Sequence, residues 1–210
     1  MPKKTTVLFK QFNIKIIELE NIRKKYELLF NKNEISDLDI SIVYSGLFIE
    51  LFTEFEALLE DLFFGLLKRE LYSSNPDFKI ILNIKPLSKI DESVMSGLGT
   101  NKKKFLDWLP YTDYTIPRAK IYFFDGLPFS AISSIEKGNL KFYHIIRNAL
   151  VHKSDYAKKK FNDQISNLTL RPKEKNPAYF LRSIPSKTTG ITQYENAAEV
   201  LKNIAKIICV

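Results

Sequence analysis

With 210 residues, 45% of them hydrophobic and 27% charged, the chain has the size of one domain and the composition of an ordered globular protein, which excludes the disordered, collagenous and low-complexity classes. One Cys and two His exclude a disulfide framework, a Cys-cluster zinc site and an all-His metal site within one chain, so no metal or cofactor is expected. The formal charge of +8 points to a polyanionic partner; yet only six of the 32 basic residues are Arg, and a Lys-heavy chain reads equally well as a solvated basic surface.

Apolar residues at three- and four-residue steps predict a first helix over 7–31: Phe12, Ile16, Leu19, Ile22 or Arg23, Tyr26 and Phe30. Asn31 to Asn33 break it, and Asp37 or Asp39 can cap a second helix running to about Leu71. Leu47, Leu51, Phe55, Leu58, Leu62 and Leu66 form one stripe of that helix, and Phe48, Phe52, Leu59 and Phe63 widen it. Such width implies more than one helical neighbour, so this is the core helix. Glu50, Glu54, Glu56, Glu60 and Asp61 interrupt the same stretch, so it is no membrane span, which needs about 20 apolar residues in succession. The N-terminus lacks the apolar centre of a signal peptide, and the expected location is cytoplasmic.

Residues 73–101 read as an irregular connection, with a short strand or helical turn over 78–84. Residues 102–109 read as a short amphipathic helix stopped by Pro110, and 118–126 as another short helix or strand. A helix is predicted over 131–153, with a break at Gly138, followed by a basic, polar stretch over 154–176. Residues 178–194 have the pattern of a β-hairpin around Pro185–Gly190. A last amphipathic helix covers 195–208. The expected class is mainly α: a single domain over 1–210, a helical bundle with a small C-terminal β-hairpin and an irregular insertion at about 73–130.

The sequence has no phosphate-binding glycine loop, no nucleophile elbow and no paired-His zinc helix. Its one dense polar cluster on an apolar helix spans 142–157. At about 100° per residue, Phe142, Tyr143, Ile145, Ile146, Ala149 and Leu150 share one arc, and His144, Arg147, Asn148, Val151 and His152 share the other. Val151 amid the polar arc suggests a covered face, most simply by a second subunit. Arg147 offers a planar fork for phosphate, His152 can change charge near neutral pH, and Asn148 lies one turn before it. Together they suit phosphodiester chemistry: positioning, charge stabilisation and proton transfer. The same residues also admit a structural reading, in which Arg147 pairs with a carboxylate of the acidic helix and His152 is a surface residue at a helix end. His144 reads as a half-exposed structural partner.

The string Arg147-Asn148-Ala149-Leu150-Val151-His152 at the end of an apolar helix resembles the R-N-x-x-x-H signature of the HEPN superfamily, and residues 52–63, with Glu56, resemble that family's Glu-bearing helix. The resemblance covers about 7–72 and 131–208. It implies a HEPN-like bundle and a metal-independent endoribonuclease of toxin–antitoxin or phage-defence type, built as a homodimer around a shared cleft. By position, Arg147 would hold the scissile phosphate, His152 would move a proton as a ribose 2′-OH attacks, Asn148 would orient the site and Glu56 would fix Arg147. Lys153, Lys158, Lys159 and Lys160 follow the motif directly and would hold the RNA backbone without reading its sequence. An antitoxin or the product of a neighbouring gene would be a second partner. A non-catalytic dimeric module that binds RNA, a nucleotide or a partner protein is the competing expectation.

Overall fold

The computed structural model describes residues 2–82, 84, 87–97, 106–152, 154–185 and 190–210. Among them are eight α-helices: α1 Thr6–Asn31, α2 Asp37–Leu67, α3 Ile90–Gly97, α4 Ile116–Tyr122, α5 Ser134–Val151, α6 Asp155–Ile165, α7 Pro177–Arg182 and α8 Gln193–Cys209. Two short strands, β1 Lys3–Lys4 and β2 Leu71–Tyr72, pair in parallel. The protein is mainly helical, as expected, and no helix among the described residues is long and apolar enough to cross a membrane.

The long helices start and stop through local chemistry. Asn33 at φ 59° ends α1, and the turn returns the Glu34 N–H to the Leu29 carbonyl at 2.9 Å, the left-handed stop that Asn tolerates. The cap of α2 is Ser36 rather than Asp37 or Asp39. Asp39 supplies the return half of a capping box: its carboxylate accepts from the Ser36 N–H at 2.8 Å, and its own N–H donates to the Ser36 hydroxyl at 3.2 Å. Beyond α2 the chain turns through Arg69 at φ 60°, and Leu71 folds back over Gly65. A Cβ at Gly65 would lie 2.5 Å from the Leu71 side chain, so the close approach requires glycine.

The chain divides into two compact units, and α1, α2, α5 and α8 each contribute to both. The first comprises Met1–Phe12, Phe55–Lys137 and Asn203–Val210. Its centre is Phe63, fully buried, with the rings of Trp108, Phe123, Phe64 and Tyr122 at 5.3–5.5 Å and Phe129 at 6.0 Å. The stretch expected to be an insertion therefore supplies the aromatic core around α2. Trp108 also donates its indole N–H to Glu60 at 2.9 Å. Leu106, Trp108 and Leu109 are all buried on a non-helical segment, which corrects the helix expected at 102–109 over its described part; residues 102–105 lie outside the described residues. The spacing that suggested an amphipathic helix serves instead to bury an irregular segment. Within 78–84 the structure has an isolated antiparallel bridge from Ile80 to Phe123, closed by the Ile81 N–H on the Tyr122 carbonyl at 2.9 Å.

The second unit comprises Asn13–Glu54 and Gly138–Lys202. Its apolar core joins Phe48 and Phe52 of α2 (5.0 Å) to Tyr143 of α5 (6.4 Å from Phe48), and Phe180 of α7 to Phe142 and Phe161 (5.9 and 5.7 Å). Beside this core runs a charged network. Of Ile22 and Arg23, it is Arg23 that is buried, at 7% exposure, while Ile22 faces solvent. The Arg23 guanidinium donates to Glu20 at 2.6 and 2.8 Å, to Glu195 at 2.5 Å and to the Tyr44 hydroxyl at 3.2 Å. Tyr44 in turn donates to Glu27, which also accepts two bonds from Arg182 at 2.8 and 2.9 Å. Buried charges are tolerable because each is paired and hydrogen-bonded.

Two expectations for the C-terminal third are corrected. The stretch 154–176 contains α6, which is capped by Ser154, whose hydroxyl accepts from the Ala157 N–H, and which buries Ala157, Phe161 and Ile165. Among the described residues of 178–194 there is no strand, and the stretch opens in a helix instead of the expected β-hairpin. Asn176 caps α7 by accepting from the Ala178 N–H, and Pro177 occupies the first helical position, where its missing N–H is not needed. Thr192 and Glu195 then form a capping box that opens α8. Residues 186–189 of the expected hairpin lie outside the described residues. The only strands among the described residues, β1 and β2, are parallel and belong to the first unit.

Candidate functional site

Helix α5 runs unbroken through Gly138 and carries the polar motif on its last two turns. Its inner side buries Leu140, Tyr143 and Ile146. Tyr143 accepts a bond from Asn196 at 3.1 Å, and burial pushes its phenol up to about 12. The helix is thus locked on its apolar side, and the opposite arc, with His144, Arg147 and Asn148, is half-buried.

On that arc the side chains of His144, Arg147 and Asn148 form a chain of contacts. Arg147 Nη1 donates to Asn148 Oδ1 at 3.3 Å, and Asn148 Nδ2 lies 3.2 Å from His144 Nε2. The three positions fall at i, i+3 and i+4, the spacing that brings helical side chains together. A guanidinium can only donate, so the Asn148 oxygen faces Arg147 and its amide nitrogen faces His144. The geometry therefore takes His144 with Nε2 unprotonated, accepting from Asn148. This chain links the imidazole of His144, through the Asn148 amide, to one edge of the Arg147 fork.

His152 lies just past the end of α5, exposed. Its N–H closes the helix on the Asn148 carbonyl at 2.8 Å, so its link to Asn148 is through the main chain, while the Asn148 side chain turns to His144. Val151, at 42% exposure, borders it. The joint between α5 and α6 is only three residues, His152 to Ser154; Lys153, an expected RNA contact, lies outside the described residues. Lys158, Lys159 and Lys160 are exposed on α6. Lys158 lies 3.8 Å from Asp155, and Lys160 sits over the Tyr156 ring at 5.1 Å. Lys173, further along the same basic stretch, is committed internally. It pairs with Asp37 and covers the Tyr179 ring at 4.6 Å; hydrogen bonds from Lys173 and Tyr179 hold the Asp37 carboxyl below the usual range.

Glu56 is half-buried on α2. The structure brings together Arg147, Asn148 and a residue assigned only a structural role from sequence, His144. The signal was present: His144 precedes Asn148 by the same four residues that separate Asn148 from His152. Among the described residues no group of three or more His, Cys, Asp or Glu is placed to hold a metal ion.

Chemically, the arrangement offers a guanidinium hydrogen-bonded to Asn148, an imidazole behind that amide, an exposed imidazole at the helix end and a run of exposed ammonium groups on the next helix. No family model matches the chain, and neither the curated proteins nor the solved structures contain a significant match.

Proposed function

We propose that the protein is a HEPN-type endoribonuclease that cuts RNA without a metal ion, in a toxin–antitoxin or phage-defence setting, as a homodimer with α5 at the subunit interface. The observation that carries the reading is the His144–Asn148–Arg147 chain of contacts, which orients the Arg147 fork on the same helix that ends at an exposed His152. Arg147 holds the non-bridging oxygens of the scissile phosphate and stabilises the charge that grows on them. His152 accepts the proton of the ribose 2′-OH as that oxygen attacks phosphorus. The P–O5′ bond breaks, the departing oxygen takes a proton from solvent, and the products are a 2′,3′-cyclic phosphate and a 5′-hydroxyl. Lys158, Lys159 and Lys160 hold the flanking backbone.

The turn of the Asn148 side chain to His144 rather than to His152 favours one second reading: a binding module in which Arg147 and the α6 lysines hold phosphates and no proton moves. Cleavage of RNA in EDTA by purified protein separates the two. On the nuclease reading, His152→Ala lowers the rate by about 10²–10⁴-fold with RNA affinity nearly intact. Arg147→Ala lowers rate and affinity together, and Arg147→Lys, a point charge without the fork, does not restore the rate in full. Cleavage by His152→Ala at the wild-type rate, from a preparation free of contaminating nuclease, would overturn the catalytic assignment.

A further inference from the structure

Tyr156 is the most exposed aromatic side chain among the described residues, at 69%, and the packing of α6 does not require it. The helix buries Ala157, Phe161 and Ile165 on one stripe. Tyr156, Lys159, Lys160 and Asp163, at i, i+3, i+4 and i+7, form the opposite face, and all four are exposed. One side of the ring carries the Lys160 ammonium, 5.1 Å from its centroid. A cation there steadies the ring through its negative face and leaves the other side open to water. An open aromatic face with two ammonium groups on the same helical surface is the combination that holds single-stranded nucleic acid: the ring stacks a base and the cations take the phosphates. Chain length bounds the placement. Tyr156 follows His152 by four residues, so their Cα atoms are at most about 14 Å apart, within a few nucleotides of a phosphate at the motif.

We propose that Tyr156, flanked by Lys159 and Lys160, is a base-stacking subsite for an unpaired nucleotide next to the phosphate held at Arg147, so that the protein engages single-stranded rather than duplex RNA. The inference rests on the RNA reading of Arg147 and His152. Bases in a duplex are already stacked on one another, and splayed, unpaired bases are the ones that side chains can stack. The ring supplies a π-face and no pattern of donors, so the subsite tolerates any base.

The test uses the full-length protein carrying His152→Ala, which leaves the probe uncut, and a short mixed-sequence RNA, single-stranded or annealed to its complement, with 2-aminopurine at successive positions. Tyr156→Ala is expected to weaken binding of the single strand by about 5- to 150-fold, the range of one lost stacked base. Tyr156→Phe is expected to retain affinity, and quenching of 2-aminopurine at one position should be present with Tyr156 and absent with Ala. Duplex affinity should not respond to either substitution. If the parent protein binds the single strand and Tyr156→Ala leaves affinity and quenching unchanged, the subsite is overturned while the reading of Arg147 and His152 stands. If the parent protein binds no RNA, and Arg147→Ala changes nothing, both fall.

Discussion

Replacing Arg23 by Met tests whether the charged network of the second unit holds its helices together. Met keeps most of the apolar stem, so the loss is confined to the head group. That head group makes four hydrogen bonds: two to Glu20, one to Glu195 and one to Tyr44. Breaking a fully buried ion pair costs about 3–5 kcal/mol because the partner charge is left uncompensated. Here the abandoned carboxylates keep 23% and 27% of their side-chain exposure, so water makes up part of the loss, and about 2–4 kcal/mol is expected. For a chain of this length that corresponds to a fall of about 4–16 °C in Tm, and to a lower urea midpoint at unchanged slope. Adding Glu195→Gln to Arg23→Met should cost less than the sum of the two single changes, since one of the stranded charges is then gone. A loss under about 0.5 kcal/mol, or strict additivity in the double variant, would refute the view that these charges act as a unit.

The acid limb of stability should carry the signature of Glu27. Burial alone pushes its carboxyl up, but hydrogen bonds from Arg182 and Tyr44 outweigh burial and hold it below its ordinary value of 4.5; a depressed folded-state value contributes stability that is present above that pH and is lost as pH falls through the folded value. Urea midpoints between about pH 3 and 7 should therefore decline below the ordinary carboxylate range, Glu27→Gln should flatten the decline, and an identical decline in both proteins would sink the assignment. In the first unit, Phe63→Ala should cost about 3–5 kcal/mol by chemical denaturation, because five aromatic rings face the vacated space; a cost under about 1 kcal/mol would mean that the cluster collapses into the gap.

Helices α1, α2, α5 and α8 were legible in the sequence because each repeats its apolar residues near 3.6 over more than four turns, and a period sustained that long has only one regular solution. The cluster on α5 was legible for the same reason: once the helix is known, spacing alone puts Arg147, Asn148 and His144 on one arc. What spacing leaves open is the choice between partners at equal separation. Asn148 sits four residues from both His144 and His152, and the structure shows its side chain meeting His144. Short segments were decided by tertiary structure throughout. The apolar spacing at 106–109 fits a helix, yet the segment is non-helical, with Trp108 held by the Phe63 ring and by Glu60. Residues 178–182 have strand composition, yet Asn176 and Pro177 start a helix and Phe180 packs between Phe142 and Phe161. Arg23 and Ile22 compete for one stripe, and the carboxylates of Glu20 and Glu195 settle the matter by pairing a charge that no single helix could bury. Local propensity amounts to a few tenths of a kcal/mol per residue, whereas a buried ring or a stranded charge amounts to several, so wherever the two disagreed over a short span, the tertiary contact prevailed.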